Sequence, residues 1–409
     1  MKIAIKTLGC KANRADSDKL VALVGGEVVE INNAEDLKKH HSFDVCIVNT
    51  CTVTGTADRK SLDAVLKFKK SFPKAKIVAF GCGVRANKDF FMGSGVVDFC
   101  AKNLYGVLKF LEKNFNKTKS KFNIESRRTR ATVKIQDGCN NFCSYCIIPF
   151  VRGREKSFLV DEIMAEIKEK EKLGFKEIVL TGINIGNWKG EEKSRRLTLS
   201  ELIIKILNET KIPRVRLSSI EPQNFDKNFE KLFTEKKYSS RFCPHMHMSL
   251  QSGSDRVLKA MRRHYDTKLF KKVAQKLKKL ASEIALTTDV IVGFPGETEK
   301  DFLDTCRFVK EIGFAKVHVF PYSKRAGTLA ALMDNQVPEN LKKERAKKLQ
   351  NISDTLRKKF IAANSGKTFP VLIEHKSKNG YFEGFTPNYI KAKIRSTKNL
   401  ENQIVNIKL

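Results

Sequence analysis

Short apolar runs alternate with helical stretches along most of this chain of 409 residues, and that alternation restricts the folds open to it. In the larger part of the chain, six apolar runs predict strands, with helices such as Val160–Leu173 and Thr267–Glu283 between them. The six are Thr132–Gln136, Glu177–Thr181, Arg214–Ser218, His247–Leu250, Leu286–Val292 and Lys316–Phe320. Strands joined through helices run parallel, so the pattern predicts an α/β fold with a partial (β/α)6 barrel. The active site of such a barrel lies at the C-terminal ends of its strands.

The first part of the chain carries a separate, shorter alternation. Ile3–Thr7, Val45–Asn49 and Lys76–Phe80 are predicted to be parallel strands, with helices such as Asp58–Phe72 between them. These elements predict an open α/β domain over residues 1–112.

A basic segment, residues 113–130, interrupts the alternation and is predicted to be a linker or an RNA-facing arm. Its cations are Lys113, Lys117, Lys119, Lys121, Arg127, Arg128 and Arg130. The barrel is then predicted over residues 131–364, including a C-terminal helix after Pro338. Four further β runs predict a small β-barrel over residues 365–409. They are Phe369–Ile373, Tyr381–Thr386, Tyr389–Ile394 and Ile404–Lys408.

Three cysteines, Cys139, Cys143 and Cys146, directly follow the first strand of the predicted barrel. Three thiolates hold three irons of a 4Fe-4S cube, which normally takes four protein ligands, and they leave the fourth iron open. Zinc is the alternative. Zinc sites usually add a second cysteine pair or closely spaced histidines, whereas the nearest downstream histidine here is His245. The spacing therefore favours a cluster that binds a further molecule.

The charge balance indicates a polyanionic partner. Lys and Arg total 78 against 45 for Asp and Glu, a formal net charge of +33. RNA or DNA is the obvious polyanion. A lysine-biased genome is the alternative, although it should raise the number of acids too. The chain has no run of about 18 apolar residues and its first residues predict a strand, so we expect a cytoplasmic protein with no membrane span.

A second set of cysteines follows the three predicted N-terminal strands. Cys10, Cys51 and Cys82 each come shortly after one of them. The C-terminal ends of parallel strands share one edge of a sheet, so three loops can present these thiols together. Gly9 and Gly81 would let the backbone turn tightly beside them. From spacing alone, three unrelated loop cysteines remain the alternative.

Longer motifs resemble those of a known family. The Cys-x3-Cys-x2-Cys run is similar to the signature of the radical S-adenosylmethionine (SAM) enzymes. Five strings, in the same order over nearly the whole chain, resemble the methylthiotransferases. They are Gly-Cys-Lys-Ala-Asn (9–13), Asn-Thr-Cys-Thr-Val-Thr (49–54), Leu-Gln-Ser-Gly-Ser (250–254), Asp-Val-Ile-Val-Gly-Phe-Pro-Gly-Glu (289–297) and Phe-Pro-Tyr-Ser-Lys-Arg-Ala-Gly-Thr (320–328).

The resemblance implies an N-terminal methylthiotransferase domain, a radical-SAM barrel and a C-terminal TRAM domain that binds RNA. It implies SAM and two 4Fe-4S clusters. Cys139, Cys143 and Cys146 would hold the radical cluster, and Cys10, Cys51 and Cys82 an auxiliary one. It also implies an enzyme that inserts a methylthio group at an unactivated carbon, with chemistry carried by these cofactors. The expected partners are a tRNA anticodon stem-loop and an electron donor such as flavodoxin or ferredoxin.

Residues at strand ends are the predicted SAM contacts. Thr181 and Gly182 close the second barrel strand and would receive the SAM amino group. Ser249 and Gln251 are polar at period two, so they face the same side and are predicted ribose contacts. Hydrogen bonds within the barrel are the alternative role. A further group resembles the family's adenine-side loop: Gly293, Pro295 and Gly296.

Three branches of the family act on isopentenyladenosine in tRNA, on threonylcarbamoyladenosine in tRNA, and on an aspartate of a ribosomal protein. Strings at 57–61, 135–138, 217–222 and 384–389 most resemble the threonylcarbamoyladenosine branch. Arg59, Lys60 or Arg325 are predicted to pair with the threonyl carboxylate, with a solvated charge as the alternative. A ribosomal-protein enzyme is disfavoured by the net charge of +33, because its substrate loop is itself basic. A non-catalytic RNA-binding protein with structural metal remains open.

Overall fold

The N-terminal part is an open parallel sheet with helices on both faces. The computed structural model describes residues 1–24, 26–115, 129–192, 194–377 and 379–409. The strands are β1 (Lys2–Thr7), β2 (Glu27–Glu30), β3 (Val45–Thr50), β4 (Lys76–Gly81) and β5 (Phe99–Ala101), in the order β2-β1-β3-β4-β5. The helices are α1 (Lys11–Leu23), α2 (Ala34–Lys38), α3 (Gly55–Ser71), α4 (Cys82–Ala86), α5 (Lys88–Met92) and α6 (Leu104–Asn114). The three predicted strands and their parallel pairing are confirmed.

The central strand β3 is buried along its whole length, because apolar clusters cover both faces of the sheet. Its continuous apolar run is typical of such a strand. The sequence did not predict β2 and β5, which are only four and three residues long. Of the predicted linker 113–130, residues 116–128 lie outside the described residues.

The second part is a partial barrel of six parallel strand positions. The strands of this part are β6 (Arg130–Lys134), β7 (Gln136–Asp137), β8 (Lys156–Ser157), β9 (Glu177–Thr181), β10 (Gly190–Glu192), β11 (Arg195–Leu197), β12 (Arg214–Leu217), β13 (Ser219–Ile220), β14 (His245–Met248), β15 (Ala285–Val292) and β16 (Lys316–Pro321). Two parallel sheets, β6-β9-β12 and β13-β14-β15-β16, follow each other in chain order around the barrel. The polypeptide passes from one to the other at Ser218, so all six predicted barrel strands are confirmed.

Helices cover the outside of this barrel. They are α7 (Ile148–Arg152), α8 (Val160–Lys172), α9 (Leu199–Glu209), α10 (Lys227–Thr234), α11 (Lys236–Ser239), α12 (Asp255–Ala260), α13 (Thr267–Leu280), α14 (Glu299–Ile312) and α15 (Glu339–Ala362). Alternate strand residues such as Val133, Ile178 and Leu286 pack against them in the largest apolar core. The intervening residues of each strand face the barrel interior, because side chains alternate along a strand.

The C-terminal part is a curled antiparallel sheet of four strands. They are β17 (Thr368–Lys376), β18 (Tyr381–Phe385), β19 (Lys391–Arg395) and β20 (Ile404–Lys408), in the order β19-β18-β17-β20. The predicted strand Tyr389–Ile394 begins later than expected, at Lys391. Tyr389 has a φ of +62°, which no strand residue adopts, and it lies in the preceding turn.

The barrel has the other two parts at its opposite ends. At the C-terminal ends of its strands, Arg325 lies 2.6 Å from Asp58 of the N-terminal domain, and Ser323 accepts a hydrogen bond of 3.0 Å from Gly55. At the N-terminal ends, Arg214 donates to the carbonyl of Phe385 in the C-terminal sheet. Among the described helices, none combines the length and apolar character needed to cross a bilayer.

Candidate active site

The second cysteine set lies along the edge of the N-terminal sheet that faces the barrel. Cys10 precedes α1, Cys51 follows β3 and Cys82 begins α4. Gly9 has a φ of +94°, and a Cβ on it would lie 2.8 Å from the Cys51 Sγ, so only glycine fits between these loops. The fold thus brings together three cysteines that are 41 and 31 residues apart in sequence.

Asn13 and Arg152 hold this set in place. Asn13 Nδ2 donates to the carbonyls of Leu8 (2.8 Å) and Thr50 (2.9 Å), which tethers the loops that carry Cys10 and Cys51. Arg152, from the barrel helix α7, donates its Nε–H to the Cys82 Sγ at 3.1 Å. Sequence patterns gave no sign of Arg152, because it is 70 residues from its sulfur partner.

Cys10, Cys51 and Cys82 form no disulfide, and the charges of Cys10 and Cys82 affect the pKa of Cys51. The pKa of Cys51 is raised to about 11, chiefly by burial and in smaller part by its neighbours Cys10 and Cys82. Burial also raises the pKa of Cys82, against the lowering effect of the Arg152 charge. Such thiols ionise when a metal takes the place of the proton, so the donor set suits a metal centre.

The triplet Cys139, Cys143 and Cys146 lies in the loop after β7, at the C-terminal end of the first barrel strand. The Cys146 amide donates to the Cys143 carbonyl at 3.0 Å, and the Asn141 amide donates to the Cys139 Sγ at 3.4 Å. These contacts fold the loop around the three sulfurs. The pKa of Cys146 is raised to about 12, chiefly by burial and in smaller part by the neighbouring Cys143.

Arg263 is the cation beside this triplet. Its Nη1 donates to the Cys143 Sγ at 3.1 Å, and its Nη2 forms an ion pair with Glu221. Glu221 in turn accepts two hydrogen bonds of 3.1 Å from Asn141. The network therefore places one guanidinium against a sulfur in each set, Arg152 at Cys82 and Arg263 at Cys143. A cation there stabilises thiolate charge.

The two cysteine sets meet in one apolar cluster. Cys82 is buried there together with Ile148 and Val151 of α7, and Cys139 and Cys146 pack against the same group. The fold thereby joins two motifs that are more than 50 residues apart in sequence.

The spacing of the sulfurs argues against zinc. A tetrahedral zinc with Zn–S bonds of 2.3 Å would hold its sulfurs about 3.8 Å apart. Within the described ranges, three potential ligand atoms come within 4.8 Å of one another only at His247, Asp289 and His318. Neither cysteine set is that compact, which fits a larger iron–sulfur cube.

Two strand ends above the triplet carry buried hydroxyls without partners. Among the described residues, neither Thr181 Oγ1 (β9) nor Ser218 Oγ (after β12) has a hydrogen-bond partner. A buried polar atom is normally satisfied, so these two atoms are available to hydrogen-bond a ligand. A Cβ on Gly182 would lie 2.6 Å from the Gln136 carbonyl, so this position accepts only glycine. Sequence analysis selected Thr181 and Gly182 but missed Ser218.

The other predicted SAM contacts fall into two groups. Ser249 and Gln251 follow β14, and both are half-buried. Gln251 has a φ of +65° and pairs through its backbone with Asp289 and Ile291. In the described structure, no hydrogen bond engages either side chain, so both are available to a ligand.

The predicted adenine-side loop, with Gly293, Pro295 and Gly296, closes back on itself. The Gly293 amide donates to Glu297 Oε1 at 2.9 Å, and Arg345 of α15 binds the same carboxylate at 2.7 Å. Gly293 and Pro295 are buried, and Gly296 is half-buried. The loop is thus a fixed turn beside the end of β15.

The three cations predicted to bind substrate differ in their surroundings. Arg59 and Lys60 are exposed on α3. Arg325 is already engaged, with Asp58 at 2.6 Å and the Thr52 hydroxyl at 2.7 Å. Its contacts join the N-terminal domain to the barrel.

Charged and aromatic side chains pack together at the N-terminal end of the barrel. Arg216 binds both oxygens of Glu177, at 2.7 and 3.2 Å. The guanidinium of Arg216 lies 3.8 Å from the ring centroid of Tyr389, a residue of the C-terminal part. Tyr389 also stacks edge-on against His245 and accepts a hydrogen bond from Arg130 at 2.9 Å. The C-terminal sheet thus contributes a side chain to the barrel interior.

Comparison with known proteins agrees with this architecture. Residues 133–309 match the family model described as Radical SAM superfamily, and residues 2–101 match that described as Uncharacterized protein family UPF0004. Among solved structures, the radical S-adenosylmethionine methyltransferase TsrM from Kitasatospora setae has a TM-score of 0.59 and 12% identity. The match covers 81% of this chain and 77% of that one. This likeness supports the fold alone.

Curated relatives match over most of the chain. Threonylcarbamoyladenosine tRNA methylthiotransferase MtaB of Bacillus subtilis (strain 168) is 35% identical, over 100% of this chain and 93% of the relative. The tRNA-2-methylthio-N(6)-dimethylallyladenosine synthase of Clostridium tetani (strain Massachusetts / E88) is 34% identical, over 92% of this chain and 86% of the relative. The match with the first of these relatives spans this whole chain. The chain therefore belongs to the radical-SAM tRNA methylthiotransferases.

Proposed function

We propose that this enzyme adds a methylthio group to C2 of N6-threonylcarbamoyladenosine, next to the anticodon of tRNA. Curated relatives named for this activity match over 90–100% of the chain at 34–36% identity. Relatives named for the dimethylallyladenosine reaction match at 33–35% identity. The names of the relatives therefore do not decide between two modified bases of tRNA. The motifs at 57–61 and 384–389 favour the threonylcarbamoyl base.

The observation that carries the proposal is the apolar cluster shared by the two cysteine sets. In the proposal, Cys139, Cys143 and Cys146 hold the radical cluster, and Cys10, Cys51 and Cys82 hold the auxiliary one. When bound, these clusters and SAM supply a carbon-centred radical and the sulfur that is transferred. The shared cluster of Ile148 and Val151 keeps the two centres adjacent and excludes water between them.

The chain's own residues orient the cofactor in this scheme. Thr181 and Ser218 offer their unpartnered hydroxyls at the C-terminal ends of β9 and β12. The Ser249 hydroxyl and the Gln251 carboxamide lie after β14, and Gly293, Pro295 and Gly296 form a turn after β15. Arg263 holds Cys143 while Glu221 neutralises the guanidinium.

The proposed partner is the tRNA anticodon stem-loop. The net charge of +33 supplies general affinity through phosphate contacts, which position the RNA without identifying it. The C-terminal curled sheet would contribute to this RNA binding as a TRAM domain. Flavodoxin or ferredoxin would supply electrons, and action on tRNA would place the enzyme in the cytoplasm.

Metal analysis tests the two-cluster part of the proposal. Protein reconstituted without oxygen should contain about eight irons and eight sulfides per chain, the content of two 4Fe-4S cubes. Zinc in place of iron would refute the assignment of both cysteine sets.

Turnover on matched tRNAs tests the substrate. The reconstituted enzyme should methylthiolate tRNA bearing threonylcarbamoyladenosine, as measured by mass spectrometry of the digested nucleosides. Equal turnover on isopentenyl, threonylcarbamoyl and unmodified tRNA, or turnover on the isopentenyl form alone, would show that the substrate is misassigned.

A further inference from the structure

The inward faces of three neighbouring strands carry a polar cluster inside the barrel. His247 (β14), Asp289 (β15) and His318 (β16) bring nitrogen and oxygen atoms within 4.8 Å of one another. His247 organises the group, since its Nε2 lies 3.3 Å from Asp289 Oδ2 and its Nδ1 lies 3.0 Å from the Thr287 hydroxyl. The three side chains thus direct nitrogen and oxygen atoms that can form hydrogen bonds into the barrel interior.

Lys11, the first residue of α1, reaches into the same space from the N-terminal domain. Its charge acts on His245 and His318, and the charges of Glu177 and Asp289 act on Lys11. These four residues belong to four different barrel strands, and the space they share is the barrel interior. Lys11 is exposed although charges of the barrel strands act on it, so its side chain lies in open space within the barrel.

Two other cations near this space are paired with acids, whereas, among the residues that the structure describes, the Lys11 ammonium is not. Arg216 binds both oxygens of Glu177, and Arg130 Nε lies 2.7 Å from Glu374. Within the described ranges, no hydrogen bond or ion pair engages the Lys11 side chain. A charge enclosed by protein is costly unless it is paired. The interior therefore favours a ligand that brings a negative charge to Lys11.

A metal ion is a poor candidate for this ligand. His247, Asp289 and His318 have suitable donor atoms, but Lys11 adds a positive charge to the same region that no ion pair in the described part of the chain neutralises. A divalent cation would be repelled by that charge. An organic anion that also accepts and donates hydrogen bonds fits both the lysine and the polar cluster.

We propose that Lys11 binds the threonyl carboxylate of the substrate base and thereby selects this base over its uncharged analogues. The inference rests on the substrate proposed above and names the residue that recognises it. An ammonium–carboxylate contact is a charge-assisted hydrogen bond, stronger than a neutral one. Arg325 is engaged with Asp58, and Arg59 and Lys60 are exposed on α3, so Lys11 replaces them in this role.

A substrate pair tests the proposal without changing the protein. Synthetic anticodon stem-loops would carry threonylcarbamoyladenosine with either its carboxylate or the corresponding neutral carboxamide. The wild-type holoenzyme should bind and turn over the carboxylate form better by roughly 30-fold, the effect of removing one partner of an enclosed charge pair. Equal binding and turnover of the two forms would overturn the proposal.

Variants then assign the effect to Lys11. Lys11→Gln should abolish the difference between carboxylate and carboxamide while binding the carboxamide form as the wild type does. Lys11→Arg should restore part of the preference, and Lys67→Gln, at an exposed lysine of the same domain, should keep all of it. Iron content and formation of 5′-deoxyadenosine show whether the Lys11 variants retain their clusters.

The outcomes separate the two proposals. If the wild type discriminates and Lys11→Gln discriminates equally well, another cation binds the carboxylate and the role of Lys11 is refuted. If the wild type modifies isopentenyl tRNA and leaves both threonylcarbamoyl forms unchanged, the proposed substrate itself is refuted.

Discussion

Arg152 illustrates how one side chain joins two parts of the molecule. Its Nη1 lies 2.8 Å from Asp137 of the barrel, its Nη2 lies 3.1 Å from Asp16 of α1, and its Nε contacts Cys82. The side chain is only 2% exposed. Burial alone would raise the pKa of Asp137, but the charges of Arg152 and Lys134 hold it at about 2.

This pKa predicts how the stability of the interface depends on pH. An unfolded Asp titrates near 3.9, so the stabilisation by ionised Asp137 is fully present above about pH 4 and is lost as the pH falls toward about 2. Arg152→Gln removes the main stabilising charge. The difference in thermal midpoint between wild type and variant should therefore be largest above pH 4 and should narrow below it.

The matched control is Arg196→Gln, at an exposed arginine of β11, which should behave as the wild type at every pH. If the difference in thermal midpoint between wild type and Arg152→Gln stays constant from pH 6 to pH 2, the pH dependence of stability does not come from Asp137.

At the level of elements, the turn from β4 into α4 positions a cysteine with no intervening loop. Gly81 ends the strand with a φ of +100°, and Cys82 is already the first helical residue. A Cβ on Gly81 would lie 2.3 Å from Asn49 Oδ1 and 2.8 Å from the Thr50 carbonyl. The close approach of β3 and this turn therefore depends on glycine.

Gly81→Ala should displace Cys82 and weaken one cluster selectively. We expect iron to fall from about eight to about four per chain, while SAM cleavage continues at the other cluster. Gly95→Ala is the matched control, because its φ is also positive (+71°) but no atom lies within 4 Å of the added Cβ. Full iron content in Gly81→Ala would contradict the role given to this turn.

Elements with a continuous apolar run, such as β3 and β4, were predictable because burial on both faces leaves a local pattern. The positions of the cysteine sets were predictable because Cys10, Cys51 and Cys82 each follow a strand and the triplet follows the first barrel strand. Partners far apart in sequence leave no local pattern. Arg152 and Asp16 are 136 residues apart, and Arg130 and Tyr389 are 259 apart, so neither contact nor the interior position of Lys11 could be foreseen.

At the scale of the whole molecule, the barrel is held between two other parts. The N-terminal domain contacts the end of the barrel that carries the cysteine triplet through Arg325 and Arg152. The C-terminal sheet contacts the other end through Tyr389. Arg214 and Arg216 also donate to sheet carbonyls, at Phe385 (3.0 Å) and Pro387 (2.7 Å). Arginine side chains of the barrel strands thus hold the C-terminal sheet in place through hydrogen bonds.

Tyr389→Ala should loosen the C-terminal sheet from the barrel. It removes a hydrogen bond from a charged donor, about 1.5–3 kcal/mol, and a desolvated cation–π contact of about 2 kcal/mol. Tyr389→Phe keeps the ring and should have the smaller effect. Hydrogen exchange of β17 and β20 is the measurement, and wild-type exchange in Tyr389→Ala would show that the ring does not hold the sheet.

Tyr389, Arg216 and Glu177 pack together at the N-terminal end of the barrel, opposite the end that carries the cysteine sets. In the proposed reaction, a small cofactor and a nucleotide base would therefore both approach from the cysteine end. The cofactor would then have to be seated before the much larger RNA covers that end. A tyrosine near the far end of the chain would in this way favour ordered binding.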